Sequence, residues 1–378
     1  MPMRHSIDPF SNITITVSKN LPSFAISFVV SFLMAFAFFN LELKADFIEI
    51  APKYETPEIA TSGDAADDPA IWFNANKPNE SIIFATDKRS GVYVYDLKGK
   101  KLGFTELGNI NNIDLRTINE SLSLTTFIVG SNRSTQSVDV WINKDKYIAE
   151  DVANKTFALS KNPQLQAQSN INIYGICAGN DPELGLIIFA TEDGGPNVEV
   201  WQYINSALKL IHTFSNNGES EGCVYDDENR TLFISEENIN GVLKAYKLES
   251  SLNFNNPFVV DSREGNIGGD PEGVAIYKTS STSGYVVLSS QGDSKYNVYN
   301  REAPYEYINS FRVGSSIYGS IDGASDTDGV AILSNKLNRD FPQGLLVVQD
   351  GYNKDKGIDK NQNFKYVSFR DILKKLQL

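Results

Sequence analysis

Between Asp46 and the last ten residues, the chain alternates short apolar runs with polar turns and shows no sustained helical period. Runs such as Val92-Tyr93-Val94-Tyr95, Val138-Asp139-Val140-Trp141, Val198-Glu199-Val200-Trp201 and Val298-Tyr299 are rich in β-branched and aromatic residues, bounded by Gly, Asn, Asp and Ser. Alternation with a period of two over so few residues marks half-buried strands. Phe369 to Leu378 has instead the spacing of a short amphipathic helix. The expectation is an all-β sandwich, barrel or propeller.

Two repeated elements choose among these. In the first, a strand end is followed by a polar residue, a turn and an aromatic-rich strand. It occurs at Thr86-Asp87-Lys88, Ser131-Asn132-Arg133, Thr191-Glu192-Asp193, Ser235-Glu236-Glu237, Ser290-Gln291 and Gln349-Asp350. The markers Lys88, Arg133, Asp193, Glu237, Gln291 and Asp350 lie 45, 60, 44, 54 and 59 residues apart, the length of a four-stranded blade with variable loops. In the second, an acidic or polar residue opens an apolar strand. It reads Asp68-Pro69-Ala70-Ile71-Trp72, Asn112-Ile113-Asp114-Leu115, Tyr174-Gly175-Ile176, Glu221-Gly222-Cys223-Val224, Glu272-Gly273-Val274-Ala275-Ile276 and Asp328-Gly329-Val330-Ala331-Ile332. Six copies of each predict an all-β, six-bladed β-propeller with four-stranded antiparallel blades over residues 46–378. A two-sheet sandwich would leave the doubled repeat unexplained.

Upstream, Leu21 to Phe39 is nearly all apolar, preceded by Arg4 and Lys19 and followed by Leu43-Lys44-Ala45. Residues 1–45 therefore read as an export signal peptide or, uncleaved, as an N-terminal anchor. Either places the rest of the chain in a secreted or periplasmic setting. Two cysteines exclude a disulfide-built scaffold. Cys177 and Cys223 follow glycines inside predicted strands and read as core residues, with one bridge between neighbouring blades as the alternative.

The net charge of −13 over 378 residues argues against nucleic acid as a partner. It also means that a phosphorylated substrate needs positive charge from elsewhere, and a divalent cation held by carboxylates supplies it. Histidine does not carry the chemistry: His5 lies in the presequence, which leaves His212, read as an exposed strand residue.

A propeller brings equivalent positions of all blades to one face. The inner-strand openings contribute Asp67/Asp68, Asn112/Asp114, Tyr174, Glu221, Glu272 and Asp328. The ends of the inner strands add Lys88, Arg89, Arg133, Glu237, Gln291 and Asp350. Unpaired carboxylates at this density are costly to bury. Calcium resolves the conflict, because it accepts about six to eight oxygen ligands in flexible geometry. Lys88, Arg89 and Arg133 remain to grip an anion. Any one acidic motif serves equally well as a turn or strand cap, but six in register do not.

These residues also carry a resemblance. The stretch Gly63-Asp64-Ala65-Ala66-Asp67-Asp68-Pro69-Ala70-Ile71-Trp72 resembles the opening signature of the β-propeller phytases, the Bacillus-type calcium-dependent 3-phytases. So do Asp87-Lys88-Arg89-Ser90-Gly91, Asn111-Asn112-Ile113-Asp114-Leu115-Arg116, Ser131-Asn132-Arg133-Ser134, Ser325-Asp326-Thr327-Asp328-Gly329 and Asn361-Gln362-Asn363-Phe364-Lys365. The resemblance implies a monomeric six-bladed propeller with several calcium ions. It implies hydrolysis of phosphate monoesters of phytate (myo-inositol hexakisphosphate), or of its calcium salt, by a calcium-activated water and without a phosphoenzyme. By the same resemblance Asp67, Tyr174, Glu221, Glu237, Glu272 and Asp328 are catalytic, and with Gln291 they hold the active-site calcium. Lys88, Arg89 and Arg133 bind phosphate. Glu55, Asp68, Ile113 (through its carbonyl), Asp322 and Asp350 are implied ligands of stabilising calcium ions. One departure stands out: the loop Thr191-Glu192-Asp193-Gly194-Gly195 is acidic where the family usually carries a lysine. A calcium-containing six-bladed lactonase or esterase is the rival enzyme, but it would not need the basic trio. An exported propeller that binds without turnover is the non-enzymatic alternative.

Overall fold

A computed structural model describes residues 47–120, 123–237, 240–248, 252–316 and 319–378. The segment read as an export signal or anchor lies outside the described residues. From Ile48 onward the chain is one compact unit.

Period-two runs with both faces apolar fold into six sheets, written here from the innermost strand outward. Blade 1 is Ala66–Trp72, Ile82–Asp87, Gly91–Asp96 and Lys101–Glu106; blade 2 is Ile110–Glu120, Ser123–Asn132, Ser137–Lys144 and Leu165–Gln168. Blade 3 is Ile173–Asp181, Gly185–Glu192, Asn197–Ile204 and Ala207–Ser215; blade 4 is Ser220–Asp226, Thr231–Glu236, Val242–Lys247 and Phe258–Ser262. Blade 5 is Pro271–Lys278, Gly284–Ser290, Lys295–Asn300 and Tyr307–Val313. Blade 6 takes Val330–Leu333, Leu345–Asp350 and Asn363–Ser368 from the C-terminal end, and its outermost strand, Tyr54–Glu55, from the N-terminal end. Strands from both ends of the propeller thus share one sheet, which closes the ring. Glu49–Ile50 adds a fifth, parallel strand to blade 5, beyond the four predicted.

Each inner strand packs on the inner strands of the two neighbouring blades, blade 6 on blade 1 included. Successive side chains of a strand point to opposite faces, so one strand feeds two seams. Ile82 and Phe84 pack toward blade 2, while Ile83 and Ala85 pack toward blade 6. An apolar cluster fills every seam.

The predicted C-terminal helix forms at Phe369–Leu376 and buries Phe369, Ile372, Leu373 and Leu376. A second helix, Asp145–Ala153, interrupts blade 2 and accounts for the longest marker interval. Its nine residues carry just two buried apolar side chains, Ile148 and Val152, too few for the helical period to be read from sequence. Cys177 and Cys223 are bridged, with Cα atoms 5.7 Å apart. The bond staples the inner strands of blades 3 and 4, so the bridge and not a pair of free core thiols is what the fold contains. His212 is half-buried, its ring stacked on Phe254 at 5.5 Å.

Candidate active site

In blades 1 to 5 the inner strand loses register with its neighbour at the same place, between Ala66 and Pro69, Ile110 and Ile113, Ile173 and Ile176, Ser220 and Cys223, and Pro271 and Val274. A β-bulge re-aims the side chains it contains. The residues inside these bulges are Asp67, Asn111, Tyr174, Glu221 and Glu272, with Asp328 in the corresponding place just ahead of the blade 6 strand. Behind four of them stands a glycine. A Cβ on Gly175 would lie 1.9 Å from the Glu221 carbonyl oxygen, on Gly222 2.2 Å from that of Glu272, on Gly273 2.6 Å from that of Asp328, and on Gly329 2.5 Å from that of Asp67. Each glycine lets its strand abut the next blade's functional residue, and this contracts the ring.

The second position comes from the residue after the second strand of each blade, which returns to the same face. The backbone N–H groups of Lys88, Arg133, Asp193, Glu237 and Gln291 donate to the carbonyls of Ala65, Asn109, Asn172, Glu219 and Asp270, at 2.7 to 3.0 Å. Those carbonyls all lie two residues before the bulge residue, so one backbone bond per blade fixes the pair. The sequence reading had assigned these side chains to the ends of the inner strands; the second strands carry them. In blade 6 the equivalent residue is Gly351, bonded to Ser325, and not Asp350.

These residues surround a cleft of about 670 Å3 whose lining includes Lys88, Tyr174, Glu221, Glu237, Glu272, Gln291 and Asp328. The Lys88 ammonium lies 3.0 Å from Asp64, 3.0 Å from Asp67 and 3.1 Å from Asp328. Gln291 donates its amide to Asp328. Arg133 reaches Asn111 Oδ1 at 3.1 Å and Asp193 at 2.7 Å, and its guanidinium stacks over the Tyr174 ring. Asn111 was missed: blade 2 was expected to contribute Asn112 or Asp114. The Asn111 amide instead bridges Glu221 Oε1 at 2.5 Å and Asp67 Oδ2 at 3.3 Å. The signal was present, since Asn111-Asn112-Ile113 matches Asp67-Asp68-Pro69 and Glu221-Gly222-Cys223 position for position. Asp114 faces the central channel and pairs with Arg116 at 3.1 Å.

Glu221, Glu237 and Glu272 each offer a carboxylate oxygen within 4.8 Å of the other two. Glu237 Oε1 and Glu272 Oε2 are buried without a hydrogen-bond partner. Burial, then the charge of Glu221, pushes the Asp67 carboxyl up to about 8. Burial and neighbouring carboxylates also raise Glu221, Glu237, Glu272 and Asp328 above the ordinary range. Burial opposes the charge of Lys88, but Asp67 and Asp328 outweigh it and hold the ammonium protonated. Burial and the Glu221 charge keep the Tyr174 phenol protonated, hydrogen-bonded to Glu221. Carboxylates with orphaned oxygens and raised pKa values lack a counter-cation, and an all-oxygen set of this kind suits calcium.

The remaining candidates lie elsewhere. Arg89 is exposed and turns its guanidinium to the Ser62 carbonyl, 3.4 Å away. Asp68 lines the central channel, where its carboxylate accepts the Ile113 N–H at 3.0 Å. Glu55, Asp322 and Asp350 converge at the ring closure around the buried Lys365 ammonium, with Glu55 at 2.5 Å and Asp350 at 3.3 Å.

The fold and site together define a six-bladed propeller whose acidic face is built for a hard cation beside two anion-gripping cations. A family model described as Phytase matches residues 18–377. The 3-phytase of Bacillus subtilis (strain 168) is 33% identical over 336 residues, covering 85% of this chain and 84% of that protein. The chain belongs to the phytase family.

Proposed function

We propose that this protein is a calcium-dependent phosphomonoesterase acting on phytate and releasing inorganic phosphate. The observation that carries the reading is the trio Glu221, Glu237 and Glu272, clustered beside Lys88 with two buried oxygens unpaired. These three, with Asp67, Tyr174, Gln291 and Asp328, would hold the active-site calcium. Asp68 with the Ile113 carbonyl, and Glu55 with Asp322 and Asp350, would hold stabilising ions. Bound calcium supplies charge neutralisation for a polyanionic substrate and makes a bound water more nucleophilic.

The chain's own groups do the rest. Lys88, kept protonated and pinned by three carboxylates, directs its charge at the phosphoryl oxygens, where negative charge accumulates during transfer. Arg133, oriented by Asn111, Asp193 and the Tyr174 ring, offers a planar fork matched to phosphate. Asp67 and Glu221, with raised pKa values, are suited to take a proton from the attacking water at neutral pH. The Tyr174 hydroxyl stays a hydrogen-bond donor. No covalent phosphoenzyme is required.

The Cys177–Cys223 bridge favours an oxidising compartment, in keeping with export by residues 1–45. No helix among the described residues is long and apolar enough to cross a membrane. The test is phosphate release from phytate after chelation and after calcium is restored. Loss on chelation and recovery with calcium are expected; a well-folded, calcium-loaded protein that releases none would overturn the proposal.

A further inference from the structure

The cleft is lopsided in charge. On the side of blades 3 and 4 stand Asp193, Glu219 and Glu237, and Asp193 already occupies Arg133 at 2.7 Å. Lys88 is enclosed by Asp64, Asp67 and Asp328. Among the described lining residues the remaining cation is Lys360, on the opposite rim. Its ion-pair partner there is Glu58, at the outer limit of 3.9 Å, and the Lys360 side chain is 37% exposed. An ammonium so weakly paired is available to an incoming anion.

Its backbone is held firmly. The Lys360 N–H donates to the Asn353 carbonyl at 2.9 Å, and Asn361 donates its amide to the Ile59 carbonyl at 3.0 Å. Gln362 Oε1 accepts the N–H groups of Ala65 and Ala66, at 2.7 and 2.8 Å. Ala66 directly precedes Asp67, so the segment bearing Lys360 is registered against the catalytic strand. Tyr352, beside it on the rim, is 65% exposed and extends the same wall with a hydroxyl.

We propose that Lys360 contacts a second phosphate group of the substrate. A polyphosphorylated ring would then lie across the cleft, its scissile phosphate at Lys88 and Arg133 and another at Lys360. This assignment rests on the phosphatase reading above and adds to it a residue that discriminates polyphosphorylated from singly phosphorylated esters. A monoester with one anionic group engages the first position alone and is indifferent to Lys360.

The test compares wild type, Lys360→Gln and Lys360→Arg, all calcium-loaded. Binding of myo-inositol hexasulfate, which carries the charges without a scissile phosphate, is measured by calorimetry, alongside kinetics on phytate and p-nitrophenyl phosphate. Lys360→Gln is expected to weaken hexasulfate binding and raise the phytate KM roughly three- to tenfold, the reach of one lost charged contact. It should leave kcat on phytate and both constants on p-nitrophenyl phosphate unchanged, and Lys360→Arg should restore binding. Equal hexasulfate binding by wild type and Lys360→Gln, or equal losses on both esters, would overturn the assignment. If wild type cleaves neither ester yet binds hexasulfate through Lys360, the hydrolytic reading fails and the Lys360 contact stands.

Discussion

Two lysines in this propeller sit in near-identical company and serve different ends. Lys365 lies at the ring closure among Glu55, Asp322 and Asp350, which come from the N-terminal strand, a loop ahead of blade 6 and the second strand of blade 6. Its side chain is fully buried, with Asn353 Oδ1 as a further acceptor at 3.1 Å. Lys88 lies among Asp64, Asp67 and Asp328, from blades 1 and 6, but beyond it stand three more glutamates with no cation of their own. The closure is sealed by a lysine that the fold itself supplies. The cleft repeats the arrangement, leaves it open to solvent and keeps it short of positive charge. A charge deficit facing solvent separates a site that must receive a cation and an anion from one that merely joins two chain ends.

Breaking the closure should produce the largest effect on stability. Lys365→Met would leave three carboxylates buried without their ammonium, and truncating one partner of a buried ion pair costs about 3–5 kcal/mol. Denaturant unfolding with and without calcium checks this. The expected result is a large drop in chelator and partial recovery with calcium, since the exposed trio then offers oxygens to the ion.

Breaking the cleft should do the reverse. Glu221→Gln removes one charge from a mutually repelling set while keeping an oxygen for the Asn111 amide. Phytate turnover is expected to fall ~100-fold or more, the order seen when one electrostatic group is removed from a preorganised site. Melting temperature in chelator should stay level or rise. A Glu221→Gln protein with full activity would remove this carboxylate from the proposed machinery.

The sequence exposed much of this contrast and hid a specific part. The doubled repeat predicted six blades, because each blade must present the same bulge and the same returning strand to the channel, and that geometry leaves X-Gly-apolar and polar-turn signatures. Lys88, Glu221, Glu237, Glu272 and Asp328 were therefore placed correctly on one face. Asn111 was passed over for Asn112 and Asp114, since blades 1 and 2 replace the diagnostic glycine with Asp68 and Asn112. Arg89 was grouped with Lys88 by adjacency, yet consecutive residues in a turn point in different directions. Lys365 was invisible as a counter-ion, because its partners lie 310, 43 and 15 residues away and only ring closure unites them. The helix at Asp145–Ala153 was lost for want of a long apolar stripe.

The smallest effect separates the two clusters by pH. A carboxyl whose folded pKa is raised binds protons more tightly when folded. Its contribution is fully present below the unfolded value, about 4, and is lost as pH rises through the folded value. Burial, partly offset by Lys365, raises Asp350 to about 6, whereas Asp67 in the cleft reaches about 8. In chelator, then, both clusters destabilise the fold as pH rises from 4 to 6, and above 6 the cleft continues alone. Each cleft carboxyl that titrates there removes about 1.4 kcal/mol per pH unit. Calcium should flatten the decline, since it displaces the same protons and binds more strongly as they leave. Asp67→Asn should make the slope between pH 6 and 8 shallower in chelator, while Asp350→Asn should change it little. Equal slopes for wild type and Asp67→Asn would show that the cleft carries no such proton-held charge.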